Sequence, residues 1–215
     1  MNKAVYGLPE LWKSSIKNAQ VIANPGCYTT AGILALVPAL KHKIIDPKHI
    51  IIDAKSGVTG AGRKPDVSLL LTECSESIKA YGIASHRHTP EIEQELSLVY
   101  GDSVKITFTP HLIPMQRGIL ATCYAYLNEA HTLEGLYAIY KDFYKDQPFV
   151  RVREDLLETR FVKDTNLCDI SIRMDTRTNQ LIITSALDNL IKGASGQAVQ
   201  NMNLLFGLDE NHGLM

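Results

Sequence analysis

The chain has 215 residues, 45% of them apolar, enough to bury a sizeable core as one domain or as one domain with an accessory segment. Its 22 Lys and Arg offset 23 Asp and Glu to a net charge of −1 and form no basic stripe, so a nucleic acid or an anionic membrane surface finds no electrostatic footprint. A small-molecule or protein partner is expected instead. No apolar run reaches the ~18 residues of a membrane span. The opening MNKAVYGLPELWK lacks the apolar centre of a signal peptide, so the expected address is the cytoplasm.

Residues 8–17, LPELWKSSIK, read as a short amphipathic helix with Pro9 in its first turn, followed by a strand-like QVIA. After an Asn-Pro-Gly turn, YTTAGILALVPALKHK is apolar and long enough for a helix that Pro38 would bend late. KHIIIDAKS is rich in β-branched residues and reads as a strand entering the glycine-rich loop GVTGAGRKP. TPEIEQELSLVYG carries helix punctuation: Thr89 as N-cap, Pro90 at the first position, acidic residues in the first turn and Gly101 as the stop.

Strands then dominate, with VKITFTPHL, RGILATCYAYL, PFVRVRE, LCDISIRMD and NQLIITSAL interrupted by one helix over TLEGLYAIYKDFYKD. Cys168, Ile170, Ile172 and Met174 alternate with Asp169, Ser171 and Arg173, the period of a strand with one buried face. A closing helix, DNLIKGASGQAVQNMNLLFG, opens on Asp188 as cap and stops near Gly207. Runs of strands with helices between them, and little regular β-α-β alternation, predict an α+β fold: a largely antiparallel mixed sheet with helices packed on one side.

The four cysteines are widely spaced and form no C-x-x-C pair, which argues against a zinc site or a disulfide scaffold and for reduced thiols. Cys74, Cys123 and Cys168 lie in apolar or strand-like runs and read as small buried residues. Cys27, in NPGCYTT, differs because it sits where a helix begins. Unpaired N–H groups and the helix dipole there stabilise a thiolate, taking a cysteine pKa from about 8.5 toward roughly 3.5–7.5. The same N–H groups suit an oxyanion formed when sulfur attacks a carbonyl. A packed thiol at a turn is the competing reading.

SHRHTPEIEQ offers His86 and His88 as proton carriers for such a thiol, both projecting to one face if the segment is extended. Glu91, on the first turn of the following helix, is placed to orient one of them. KSGVTGAGRKP holds Gly57, Gly60 and Gly62 without the dinucleotide-binding spacing. With Lys55, Arg63 and Lys64 nearby it reads equally as a phosphate cradle or a surface turn. Arg117, between prolines and a glycine in PHLIPMQRG, suits two-bond capture of a carboxylate or phosphate, or is simply solvated; His111 is equally ambiguous.

Taken together, AVYGLPEL, ANPGCYTT, KSGVTGAG, HRHTPEIEQEL, PHLIPMQRGILAT and DNLIKGASGQAVQNMN resemble, in order and over nearly the whole chain, the N-acetyl-gamma-glutamyl-phosphate reductase family. That family lies within the aspartate-semialdehyde dehydrogenase superfamily. The resemblance implies the superfamily's dimerisation-domain fold and NADPH-dependent reduction of N-acetyl-L-glutamyl 5-phosphate to the 5-semialdehyde in arginine biosynthesis. It also implies a homodimer or homotetramer. Cys27 would carry the acyl group as a thioester, with His86 or His88 handling protons, His86 preferred, and Glu91 assisting. Asn24, Arg87 and Arg117 would bind the acyl phosphate; Ser56, Gly57, Gly60, Gly62 and Asn189 would line the NADP site. No metal is implied.

One departure stands beside these matches: the family carries a Rossmann domain before VYGLPEL, and this chain has none of it. The expected organisation is a remnant leading from that domain (1–23), a catalytic and dimerisation domain (24–187), and a C-terminal helix (188–215) that would pack on the Rossmann domain. Leu190, Ile191, Val199, Met202, Leu205 and Phe206 would then stand exposed in this chain or be covered by another chain. Most NADP contacts would be missing, leaving the chain inactive alone. Competing readings are a reductase of a related, longer acyl phosphate in lysine biosynthesis, a dimerisation module without activity, and a cofactor-free cysteine hydrolase or acyltransferase.

Overall fold

The computed structural model describes residues 4–63 and 65–214, so Lys64 of the glycine-rich loop lies outside the described residues. The chain opens with a small β-α-β unit in which β1 (Ala4–Tyr6) and β2 (Val21–Ala23) pair in parallel around α1 (Pro9–Ile16). Then follow α2 (Cys27–Lys41), β3 (Ile45–Gly57), α3 (Leu71–Cys74), β4 (Lys79–Ala80), α4 (His88–Tyr100), β5 (Ile106–Ile113) and β6 (Ile119–Leu127). The remaining elements are α5 (Leu133–Tyr144), β7 (Val150–Arg153), β8 (Cys168–Asp175), β9 (Gln180–Leu187), a π-helical turn (Ile191–Ser195) and α6 (Gly196–Leu205).

Among the described residues, seven strands form one sheet in the order β4-β5-β3-β6-β9-β8-β7. The pairs β3/β5 and β7/β8 are parallel and the others antiparallel, as expected of a largely antiparallel mixed sheet. Its core-facing residues include Ile50, Ile52, Ala121, Cys123, Ile170, Ile172, Leu181 and Ile183, all buried. Alternate residues on the opposite face, such as Ile51 and Tyr126, are exposed. Cys74, Cys123 and Cys168 are buried free thiols.

α2 is the helix around which the core is built. It is apolar on all sides and its residues from Tyr28 to Leu40 are all buried, as a helix packed from several directions must be. Pro38 stands inside α2 without ending it. A proline has no N–H for the carbonyl four residues back, and the Tyr144 hydroxyl of α5 donates to that carbonyl, Leu34 O. Farther round, a buried ion pair joins Lys192 Nζ in the π-helical turn to Glu10 Oε1 in α1 at 2.6 Å. Gln200 of α6 accepts from the same ammonium at 2.7 Å, which fastens the end of the chain to its beginning.

Two local expectations need correction. α4 begins at His88, with Arg87 before it, so Thr89 is inside the helix and is not its cap. His86 does the capping: its carbonyl accepts the Thr89 N–H at 3.0 Å and its Nδ1 accepts the His88 N–H at 3.2 Å. The segment is therefore a turn and not an extended strand. In the closing segment, Leu190, Met202 and Phe206 are exposed while Ile191, Val199 and Leu205 are half-buried. The polar residues Gln197, Gln200, Asn201 and Asn203 form the buried side of α6.

Candidate active site

The first residue of α2 is Cys27, and Gly26 before it is the N-cap in extended backbone, φ −72° and ψ 161°. The Gly26 carbonyl accepts the Thr30 N–H at 3.0 Å and both the Thr29 and Thr30 hydroxyls, which fixes the start of the helix. Two glycines let neighbours close on the thiol. A Cβ on Gly26 would lie 2.4 Å from His88 Nε2, and one on Gly193 would lie 2.7 Å from Cys27 Cβ. His88 thus packs on the peptide preceding Cys27, and the π-helical turn packs against Cys27 itself.

The two imidazoles stand side by side, ring centroids 4.8 Å apart. His86 is boxed by Tyr28, Tyr81 and Phe108, with centroids 5.3–5.8 Å away. The Tyr81 hydroxyl donates to Tyr28 Oη, whose own hydroxyl donates to the His111 carbonyl. Glu91 is bonded to neither imidazole. Its Oε1 accepts the Tyr6 hydroxyl at 2.8 Å and the Gly26 N–H at 3.1 Å.

Burial dominates the electrostatics. It pushes the Cys27 thiol above its ordinary value, against the pull of the Tyr28 and Cys27 amides and of Arg87, with Glu91 adding to the rise. The expectation of a thiolate near neutrality is therefore overturned: desolvation outweighs the helix terminus. Burial also lowers His88 to about 4, opposed by Glu91 and aided by His86 and Arg87. It lowers His86 as well, with Arg87 contributing. Burial thus favours the neutral forms on both sides, a protonated thiol and unprotonated imidazoles.

Around these groups lies an open cleft of about 690 Å³. Of the residues singled out from the sequence, it is lined by Asn24, Cys27, Gly60, Gly62, His86, Arg87, His88 and Asn189. Ser56, Gly57, Glu91 and Arg117 stand behind this lining. Ser56 is buried beneath Gly60, where a Cβ would come within 2.5 Å of its Oγ. Gly57 packs on the Gln116–Arg117 peptide, 2.6 Å from a Cβ position to Gln116 O. Arg117 is claimed by carboxylates, Asp164 at 2.7 Å and the buried Asp188 at 3.1 Å, so it braces the π-helical turn and does not face the cleft.

Asn24 and Asn189 reach the cleft with much of their hydrogen bonding already used. Asn24 donates to Ala194 O and accepts from Asn201, whereas Asn189 accepts the Gly118 N–H at 2.6 Å and donates to Thr59. Sequence reading passed over Tyr6, Tyr28, Tyr81 and Gly193. Only Gly193 left a trace, as a glycine inside an otherwise helical pattern, which often has a packing reason.

A family profile described as "Semialdehyde dehydrogenase, dimerisation domain" matches residues 27–189. The chain is 53% identical over 211 residues to an N-acetyl-gamma-glutamyl-phosphate reductase of Clostridium novyi, covering 98% of this chain and 61% of that protein. A namesake from Thermoanaerobacter sp. is 55% identical over 214 residues, covering 99% and 62%. One from Campylobacter jejuni is 54% identical over 216 residues, covering 100% and 63%. The chain thus spans about three fifths of the length of these relatives. In fold, it is similar to the crystal structure of aspartate semialdehyde dehydrogenase II from Vibrio cholerae, with TM-score 0.73 and 17% identity over 96% of this chain and 69% of that one. With the profile spanning most of its length, and the relatives and the fold in agreement, the chain belongs to the semialdehyde dehydrogenase dimerisation-domain family.

Proposed function

We propose that this chain is the nucleophile-bearing and dimerising part of an NADPH-dependent reductase that converts N-acetyl-L-glutamyl 5-phosphate to the 5-semialdehyde. The observation that carries the reading is Cys27 at the start of α2, with His88 packed on Gly26 and the π-helical turn against its Cβ. His88 accepts the thiol proton as sulfur attacks the acyl carbon. The bond from that carbon to the phosphate oxygen breaks, phosphate leaves with the electron pair, and the acyl group stays on Sγ as a thioester. When bound, NADPH would supply a hydride to the thioester carbon. The C–S bond of the resulting tetrahedral alkoxide breaks as its oxygen becomes the aldehyde carbonyl, and His88 returns its proton to the leaving sulfur.

His88 is favoured over His86 for this role because it lies beside the nucleophile, while His86 Nδ1 already accepts the His88 amide. Arg87 is the cationic side chain lining the cleft and would meet the substrate's anionic groups. The small residues Gly60, Gly62, Gly193 and Ala194 line the cleft, where one end of the cofactor, the flat nicotinamide, would lie. Among the described residues that lining offers little charge for the cofactor's phosphates. Most of the NADP contacts would therefore come from a dinucleotide-binding portion, within the part of the relatives' length this chain does not span.

Acetyl phosphate tests the nucleophile. Mass spectrometry should find the chain acylated at Cys27, and acylation of the chain at an unchanged rate in Cys27→Ala would remove the assignment. Reductase turnover should need a dinucleotide-binding portion joined to residues 1–215; robust NADPH-dependent turnover by those residues alone would overturn the division of labour. For dimerisation, the open sheet face with Ile51 and Tyr126 exposed is the favoured surface. Sedimentation should show a dimer that Ile51→Lys weakens, and a strict monomer at high concentration would reject it.

A further inference from the structure

We infer that Tyr6 is a positioning residue for the nucleophile turn: it holds the Glu91 carboxylate against the Gly26 N–H and thereby fixes the peptide that precedes Cys27. The inference rests on the reading of Cys27 as the acylated nucleophile. Gly26 N–H lies ahead of α2 and has no partner in the helix, and Glu91 Oε1 supplies one at 3.1 Å. That same oxygen receives the Tyr6 hydroxyl at 2.8 Å, so one atom joins β1, α4 and the nucleophile turn. Burial, with Glu91 beside it, raises the Tyr6 phenol far above its ordinary value, which keeps it a donor at every working pH.

A second aromatic bond provides an internal control. One helical turn along α4, Glu95 accepts the Trp12 indole N–H at 2.8 Å. The two bonds dock the same N-terminal β-α-β unit on the same helix, yet only Glu91 touches the turn that carries Cys27. A purely structural role would make the two aromatic residues equivalent. A positioning role separates them.

The test compares two reactions of Cys27 in the 215-residue chain: acylation by acetyl phosphate, which needs an aligned thiol, base and N–H groups, and alkylation by iodoacetamide, which needs mainly an accessible thiolate. Tyr6→Phe should slow acylation about tenfold and change alkylation less than about twofold, because a small displacement costs an aligned reaction most. Glu91→Ala should slow acylation similarly even though alkylation rises with loss of a carboxylate that raises the Cys27 thiol, and Tyr6→Phe added to it should cost nothing more. Glu91→Gln, which keeps an oxygen for both donors, should restore acylation to within about threefold of the parent. Trp12→Phe should leave the ratio of the two rates unchanged.

Equal acylation in Tyr6→Phe and the parent would overturn the inference, as would independent multiplication of the Tyr6 and Glu91 effects. Should Tyr6→Phe fail to fold by circular dichroism, the Glu91→Ala and Glu91→Gln pair decides, since equal acylation in those two variants also overturns it. A parent chain that is never acylated at Cys27 rejects the nucleophile reading instead, and that result is visible before any variant is made.

Discussion

His88 Nε2 occupies the space in which a side chain on Gly26 would begin, 2.4 Å from the Cβ position. The Gly26 backbone, at φ −72°, is one that any residue adopts, so the glycine serves packing and not conformational freedom. Gly26→Ala should therefore fold with a near-normal circular dichroism spectrum while His88 is forced off the turn. Acylation of Cys27 should fall about 100-fold, the scale of an ångström-sized misplacement. Retained acylation would mean that His88 is not the proton acceptor.

The low pKa of His88, about 4, sets two pH dependences with one sign. An unfolded chain binds a proton at this imidazole below pH ~6.5, whereas the native protein resists doing so until about pH 4. Its contribution to stability is thus fully present above pH 6.5 and is lost as pH falls toward 4. The titratable and charged groups facing His88 include Tyr28, His86, Arg87 and Glu91, and ionised Glu91 opposes the shift. Urea midpoints measured from pH 7 to 4 should fall more steeply for the parent than for His88→Leu. The acid limb of Cys27 acylation should lie near pH 4 and not near 6.5. An identical acid slope in His88→Leu would sink this account.

What the sequence made legible were features whose cause is local. Gly101 ends α4 with φ 87°, and Asp188 accepts the N–H groups of Leu190 and Ile191. Apolar and β-branched runs identified the longer strands, with Cys123 and Cys168 buried in them, but not the short β1 and β4. The misses share one physical origin, a contact or burial that residue propensity does not encode taking over a local role. Thr89 is the better cap by propensity, yet the carbonyl and Nδ1 of His86 reach the first amides. Arg117 reads as an anion receptor until Asp188, far along the chain, claims it. The helix start argues for a Cys27 thiolate, and only the packed cleft reveals that desolvation wins. Sheet order was illegible for the same reason: β3 lies between β5 and β6, and neither follows it directly in sequence.

The Lys192–Glu10 pair makes a stability prediction. Both side chains are fully buried at 2.6 Å, and Gln200 accepts a further bond from the ammonium. Lys192→Met removes the partner of a buried carboxylate and should cost about 3–5 kcal/mol, read from denaturant midpoints. Combining it with Glu10→Gln removes the stranded charge and should recover part of that loss. A double variant no more stable than Lys192→Met would show that the charge on Glu10 is compensated elsewhere.

Pro38 and Tyr144 form a compensation that a double-mutant cycle can read. Pro38 leaves Leu34 O without its helical donor, and the buried Tyr144 hydroxyl takes the vacant position. Tyr144→Phe alone strands a buried carbonyl and should cost about 1–3 kcal/mol. In a Pro38→Ala background the new N–H of residue 38 can bond Leu34 O, so the same Tyr144→Phe change should cost less than about 1 kcal/mol. The difference between the two backgrounds is the coupling energy of the hydroxyl with the proline. Equal costs in both would mean that Tyr144 stabilises α2 through its ring alone, and that the carbonyl beside Pro38 needs no donor.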